Sequence, residues 1–160
     1  MTEADLDAAI RAAQAIAQSL RRVRERLVAL FPLDAAGVSA LDEDQRDRTD
    51  ALIKRFENLV NTLQDQVFRQ IAERELARDP DRMSRRDVLD YMEKIGVLDA
   101  ADRFLDAVKL RNRLSHVYPE DPAKQAGQLN RVHAATAVVL QALEGVEAWA
   151  ARRLTPPASP

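Results

Sequence analysis

Three observations about the sequence predict an all-α protein, organised as an up-and-down bundle of three long and two shorter helices. Apolar residues recur at helical intervals through most of the 160 residues, as in helices with one buried face. No segment shows a convincing strand pattern. Aromatic residues make up only 4% of the chain and glycines number 4, which disfavours a β-sandwich. The length fits one domain, residues 1–154, followed by a proline-rich tail, residues 155–160, that is expected to be disordered.

The first long helix is predicted from two sets of apolar residues that each repeat every seven positions. They are Leu6, Ala13, Leu20 and Leu27, and, three positions later, Ala9, Ile16, Val23 and Leu30. Together they form one apolar stripe along a helix of residues 3–30. Phe31-Pro32 ends this helix, because the residue before a proline is pushed out of the helical region. The pattern leaves open whether the stripe packs in the core or against a partner.

The second long helix is predicted over residues 44–77, after a loop of residues 32–43 that contains Gly37. Its apolar face consists of Leu52, Ile53, Phe56, Leu59, Val60, Leu63, Val67 and Ile71. A helix of this length spans about 50 Å, so it is expected to be the central element of the bundle. The segment Asp79-Pro80-Asp81 ends it.

A short helix of residues 85–95 follows. Ser84 and Asp87 have the spacing of a capping box, with Asp in place of the usual Glu, and Gly96 closes the helix.

Asp99 is expected to cap the next helix, residues 100–117. Pro119 and Pro122 interrupt the chain again, and a last long helix covers residues 122–153. The apolar stripe of this last helix is Leu129, Val132, Thr136, Val139, Leu143, Val146 and Ala150.

Composition excludes several classes of chemistry. Cysteine is absent, which excludes disulfides, thiolate metal sites and a cysteine nucleophile. Imidazole chemistry has two candidates, His116 and His133. Acidic pairs such as Asp42 and Asp44 lack a histidine at ligand spacing, so neither a metal nor a cofactor is expected. The net charge of −2 argues against a broad nucleic-acid surface.

No apolar run in the sequence approaches the ~20 residues of a transmembrane helix, and the acidic N-terminus lacks a secretory signal pattern. The sequence therefore predicts a cytoplasmic protein that does not interact with membranes.

The predicted fourth helix carries an arginine on its apolar face. At about 100° per residue, Arg111 lies between Phe104 and Val108 on one side and Ala107 and Leu114 on the other. Polar residues accumulate at this end of the helix. They are Arg111, Asn112, Ser115, His116 and Tyr118.

An inward-facing arginine is costly unless it is paired or opens onto a cleft or a partner. In one interpretation, Arg111 forms a salt bridge with an acid of the second helix, such as Glu57 or Asp65, and His116 lies favourably near a helix C-terminus. In the other, the polar cluster lines a cleft and takes part in phosphate chemistry. The combination of Arg, Asn, Ser, His and Tyr within eight residues favours the second interpretation.

Residues 110–119 read Leu-Arg-Asn-Arg-Leu-Ser-His-Val-Tyr-Pro, with four residues between Arg111 and His116 and one between His116 and Tyr118. This segment resembles the Arg-x4-His-x-Tyr motif of HEPN domains, and most closely that of the HepT-like toxins, which pair with minimal nucleotidyltransferase antitoxins. The bundle layout extends the resemblance loosely over residues 3–153.

The resemblance implies a metal-independent endoribonuclease that cleaves tRNA or mRNA. It also implies a homodimer in which the motifs of both protomers line one cleft. Arg111 would bind the scissile phosphate and stabilise its developing charge, and His116 would act as general base or acid. Asn112, Arg113 and Ser115 would support phosphate binding.

The resemblance further implies a nucleotidyltransferase-type antitoxin that neutralises the toxin. Tyr118 is then a candidate for AMPylation, and the alternative is a packed aromatic residue whose hydroxyl finds a partner. A second function class is a non-catalytic HEPN module that binds a nucleotide or a nucleotidyltransferase partner. A third is a plain helical scaffold. Of the three, the nuclease is the one that needs an imidazole at His116.

Other features favour structural roles. His133 lies beside the apolar stripe of the last helix and is interpreted as a boundary or interface residue. Trp149 is expected to pack the end of the bundle. The basic run 21–26 and the pair Arg85-Arg86 are read as solvated helix faces, or, if the nuclease hypothesis holds, as contacts to an RNA backbone.

Overall fold

The computed structural model describes residues 2–76, 79–114 and 120–154. Every regular element within these ranges is helical, so the predicted all-α helical bundle is confirmed. None of the described helices is both long and apolar enough to cross a membrane. The tail 155–160, which the sequence predicts to be disordered, lies outside the described residues.

Three long helical stretches and three shorter helices make up the described fold, which is one short helix more than the sequence predicts. The α-helices are α1 (Glu3–Leu27), α2 (Ala35–Ser39), α3 (Glu43–Thr62), α4 (Phe68–Leu76), α5 (Arg85–Lys94), α6 (Ala101–Arg113) and α7 (Pro122–Leu154). A π-helical turn (Leu63–Val67) joins α3 to α4, so that the two form one continuous stretch. Single 3-10 turns cover Val28–Leu30 and Pro80–Arg82.

Capping boxes begin three of these helices. The boxes at Thr2 and Asp42 start α1 and α3. The one predicted at Ser84 is confirmed, since the Asp87 backbone N–H donates to the Ser84 hydroxyl and the Ser84 N–H donates to Asp87, both at 3.0 Å. Two hydrogen bonds with Ser84 hold the pKa of the Asp87 carboxyl below its usual value, and the one with the Ser84 side chain has the larger effect.

The apolar stripe of α1 belongs to the core of the single chain. Its residues are buried, except Ile16 and Leu30, which are half-buried and pack against the same core. The stripe is therefore not a free surface for a partner, and the question that the sequence left open is answered in favour of the core. The stripe of α7 is likewise buried from Leu129 to Val146.

The π turn between α3 and α4 keeps one face of a long helix directed at the core. Without the π turn, at 100° per residue, the side chain of Phe68 would point about 120° away from that of Phe56 around the helix axis, and that of Ala72 about 160° away. All three are fully buried. A π turn accommodates one extra residue, which rotates the second half of the helix back by about 100°.

The predicted loop 32–43 contains a short helix that the sequence analysis missed. The Asp34 side chain accepts a 2.7 Å hydrogen bond from the Gly37 N–H and caps α2. Burial of apolar side chains also stabilises this short helix. A small apolar cluster, separate from the main core, consists of Leu33, Val38, Leu41, Ala126 and Leu129.

The prediction that Asp99 caps the fourth helix is wrong. The N-cap of α6 is Ala100, and the first N–H of the helix, that of Ala101, donates instead to the Glu93 carboxylate (3.3 Å). Asp99 accepts a 2.7 Å hydrogen bond from the Gln141 amide. A contact from α7 therefore takes the carboxylate that local spacing assigned to the cap.

The C-terminal end of α6 also differs from the prediction. The helix ends at Arg113 rather than at residue 117, and Leu114 is its C-cap. The Leu114 N–H donates to the Arg111 carbonyl (3.2 Å), which tightens the last turn into an i to i+3 bond. Arg111 and Arg113 therefore lie in the final turn of the helix, where cations interact favourably with the helix dipole.

Candidate functional site

The inner face of α6 is arranged as the helical wheel predicts. Phe104, Ala107 and Val108 are buried, while Asp106 and Lys109 are exposed on the opposite side. The Phe104 ring packs edge-on against Phe68, with ring centroids 5.0 Å apart. Phe104 thus anchors α6 against α4 two turns before Arg111.

Arg111 is half-buried and is directed towards the second long helix. Its Nη1 donates a hydrogen bond to the side-chain oxygen of Asn61, in the last turn of α3 before the π turn. The interpretation in which Arg111 pairs with an acid of the second long helix is right about the helix but wrong about the partner, which is Asn61 rather than an acid. Neither Glu57 nor Asp65 is among the ion pairs of the described residues, and Asp65 accepts from Gln64 instead (3.2 Å).

One N–H donor of the Arg111 guanidinium is not used in a hydrogen bond within the described residues. Its Nε is enclosed and has no hydrogen-bond partner among the described residues. Asn61 is a neutral amide, so it accepts a hydrogen bond without neutralising the positive charge. A half-buried guanidinium that forms no ion pair among the described residues is suited to bind an oxyanion such as a phosphate.

The other residues of the predicted site divide into two groups. Asn112 and Arg113 are exposed in the last turn of α6, so Arg113 projects away from the core. Ser115, His116 and Tyr118 lie outside the described residues. The described part of the candidate site therefore consists of Arg111 with its neighbours in α6, together with Asn61 across the helix pair.

Asn61 is the residue that sequence reasoning missed. Nothing in the spacing of the second helix distinguishes it from other polar residues there. A related signal was present, however. The apolar positions of that helix pass from seven-residue repeats to the four-residue steps Leu63, Val67 and Ile71, a drift that indicates a π turn next to Asn61.

His133 lies apart from the Arg111 site, in an environment of its own. Its ring stacks on Phe31, with centroids 4.1 Å apart and planes within 8°. Burial is the main cause that lowers the pKa of His133 below its usual value, and the positive charge of Arg24 lowers it further. Its half-buried position agrees with its interpretation as a boundary residue rather than a catalytic one.

We expect acidification to destabilise the protein in part through His133. The unfolded chain takes up a proton on this residue near pH 6.5, whereas the folded chain takes it up at a lower pH, so this contribution to stability is lost as the pH falls below about 6.5. Urea unfolding of wild type and His133→Gln at several pH values measures it. The stability of wild type relative to the variant should decline with falling pH, and parallel pH profiles would contradict the expectation. Arg24→Gln should make the decline smaller.

Trp149 and Arg86 lie outside the Arg111 site, one in the core and one on the surface. Trp149 is buried, with the Arg153 guanidinium 4.8 Å above its ring, as expected for a residue that packs the end of the bundle. Arg86 forms ion pairs with Asp90 and Asp102. No group of three or more metal-ligating side chains occurs within residues 2–76, 79–114 and 120–154.

Comparison of the chain with protein-family models, with curated proteins and with solved structures finds no match. The likeness of residues 110–119 to the HEPN motif therefore stays a prediction from the sequence.

Proposed function

We propose that this chain is a metal-independent endoribonuclease and the toxin of a toxin–antitoxin pair, with Arg111 and His116 as catalytic residues. The observation that carries the proposal is the state of Arg111. It is half-buried at the end of α6, its partner is a neutral amide, and its Nε has no partner within the described residues. An arginine kept for structure alone would be expected to meet a carboxylate there.

The proposed reaction needs these two side chains and no metal. His116 removes the proton from a ribose 2′-OH, and the 2′ oxygen attacks the adjacent phosphorus. The bond from phosphorus to the 5′ oxygen breaks, a protonated imidazole returns a proton to the leaving oxygen, and a 2′,3′-cyclic phosphate remains. The Arg111 guanidinium stabilises the negative charge that builds up on the phosphorane oxygens.

A second copy of the chain would complete the cleft in this proposal. The overall charge of −2 does not attract RNA in general, so the positive potential has to be local. Two copies of Arg111 and Arg113 facing each other would supply it. A nucleotidyltransferase-type antitoxin would then neutralise the toxin by covering this cleft or by modifying Tyr118.

An RNA cleavage assay in the presence of EDTA tests the proposal. Wild-type protein should cleave a tRNA or an mRNA transcript and leave 2′,3′-cyclic phosphate ends, and His116→Ala should not. Lys109→Ala, on the exposed side of α6, is the control and should keep the cleavage rate of wild type. Retained cleavage by His116→Ala, or loss of wild-type cleavage in EDTA, would refute the proposal.

The same assay distinguishes the second candidate function, a non-catalytic nucleotide- or partner-binding module. That module would use the Arg111 guanidinium to bind an anion without the imidazole. It predicts no cleavage by the pure wild-type protein and measurable binding of a nucleotide that Arg111→Ala abolishes.

A further inference from the structure

A second group of basic residues lies where the C-terminal part of α1 meets α7. Five residues line a cavity of about 240 Å³ there. They are Arg21, Arg24, Glu25, Val28 and His133. The cavity is distinct from the Arg111 site, and none of its lining residues has a role in the proposed cleavage step.

Two of the residues that line the cavity carry a nitrogen atom without a hydrogen-bond partner. Arg24 Nε and His133 Nε2 are both enclosed, and neither has a hydrogen-bond partner among the described residues. A buried polar atom without a partner is unfavourable, so both side chains would gain by turning these nitrogen atoms towards a ligand in the cavity.

The charges of the cavity point to an anion. Arg21 and Arg24 lie one turn apart on α1 and are absent from the ion pairs of the described residues. Glu25 is the one carboxylate among the lining residues, so the positive charge is in excess. Val28, which is 60% exposed, gives the cavity an apolar edge.

The His133 side of the cavity is ordered. The His133 ring is stacked on Phe31, and the Thr136 hydroxyl donates to the His133 carbonyl (2.6 Å). Arg24 is half-buried beside it, and its charge acts on the imidazole. An imidazole ring that is already ordered loses little entropy when a ligand binds.

We propose that this cavity binds a phosphate group, with Arg21 and Arg24 as its cationic ligands and His133 Nε2 as a neutral donor. A phosphate offers enough oxygen atoms to accept from all three side chains, and guanidinium groups match its geometry. The phosphate belongs either to a free nucleotide or to the backbone of an RNA strand. The first source makes the cavity a nucleotide site, and the second makes it an additional contact for RNA.

Proton NMR of the full chain tests this proposal. In His116→Asn, His133 is the one remaining histidine, so its imidazole resonances are assigned without ambiguity. Inorganic phosphate, AMP and a short oligoribonucleotide are titrated separately. We expect a saturable shift of the His133 resonance and a rise of its pKa, because a bound anion offsets the charge of Arg24.

The matched variants are Arg24→Gln and Arg22→Gln, which remove neighbouring arginines of the same helix. Arg24→Gln should weaken binding by about 10- to 100-fold, as expected for loss of a charged hydrogen bond. Arg22 is exposed and does not line the cavity, so Arg22→Gln should bind as the parent protein does.

The outcomes of the titrations are separate from those of the cleavage assay, since the readout is the resonance of His133. Saturation by AMP alone assigns a nucleotide site, and tighter binding of the oligoribonucleotide assigns an RNA contact. The absence of a saturable shift with all three probes, or equal affinity in Arg24→Gln and Arg22→Gln, would overturn the proposal.

Discussion

Arg111→Ala is expected to lower RNA cleavage by about 100- to 1,000-fold, the usual cost of removing one preorganised donor from a developing oxyanion. Stability should change less. The substitution removes one hydrogen bond from a charged donor to Asn61, which is worth about 1.5–3 kcal/mol. It also removes an enclosed Nε that has no partner in the described structure, which offsets part of this loss. Cleavage rates and urea unfolding of the same preparations measure the two effects.

Two further substitutions at this position separate charge from geometry. Arg111→Lys keeps the charge but loses the planar fork, so cleavage should be only partly retained. Arg111→Met should abolish cleavage while leaving stability equal or higher, because the buried charge is replaced by an apolar side chain. Lys109→Ala, on the exposed side of α6, is the control and should keep full activity. Undiminished cleavage by Arg111→Ala would exclude a catalytic role for this arginine.

Gly145→Ala is expected to cause the largest loss of stability among single-methyl additions to α7. A Cβ at position 145 would lie 1.9 Å from the carbonyl oxygen of Val97 and 2.9 Å from its carbonyl carbon. Backbone atoms cannot rotate away as a side chain can, so α7 or the segment after α5 must move. We expect a loss of about 2–3 kcal/mol and a fall in the melting temperature of about 5–10 °C.

Gly127→Ala in the same helix is the matched control. A Cβ there would contact nothing nearer than the Arg131 guanidinium at 3.6 Å. Because alanine favours the helix over glycine by up to about 1 kcal/mol, this variant should be as stable as wild type or slightly more stable. Thermal unfolding followed by circular dichroism compares the two. Equal melting temperatures for Gly145→Ala and wild type would show that α7 does not pack this closely against Val97.

The direction in which Arg111 points could be predicted from the sequence, and its partner could not. Its position on the inner face follows from the helical period of α6 and the apolar residues on either side of it. The identity of Asn61 follows from the crossing of α3 and α6, which brings together residues separated by 50 positions. Glu57 and Asp65 were the predicted partners because an acid is the usual partner of an arginine. The way the two helices cross instead brings the neutral amide of Asn61 next to Arg111.

The helix starts show the same division. Ser84 caps α5 as predicted, because its partner Asp87 is three residues away and the contact is local. Asp99, which was predicted to cap α6, lies one residue before the observed N-cap, Ala100, and accepts from Gln141 of α7 instead. A cap is thus predictable where no distant residue competes for the carboxylate.

The sequence by itself determined the all-α class, the three long helices, two of the three shorter ones, and the residues that face the core. These follow from local chemistry, since helical period and prolines act over a few residues. The tertiary structure alone decided the neutral partner of Arg111, the use of Asp99 as an acceptor for Gln141, and the need for glycine at position 145. Each of these depends on a contact between residues that are far apart in the sequence, and such contacts are set by the packing of the whole core rather than by any one segment.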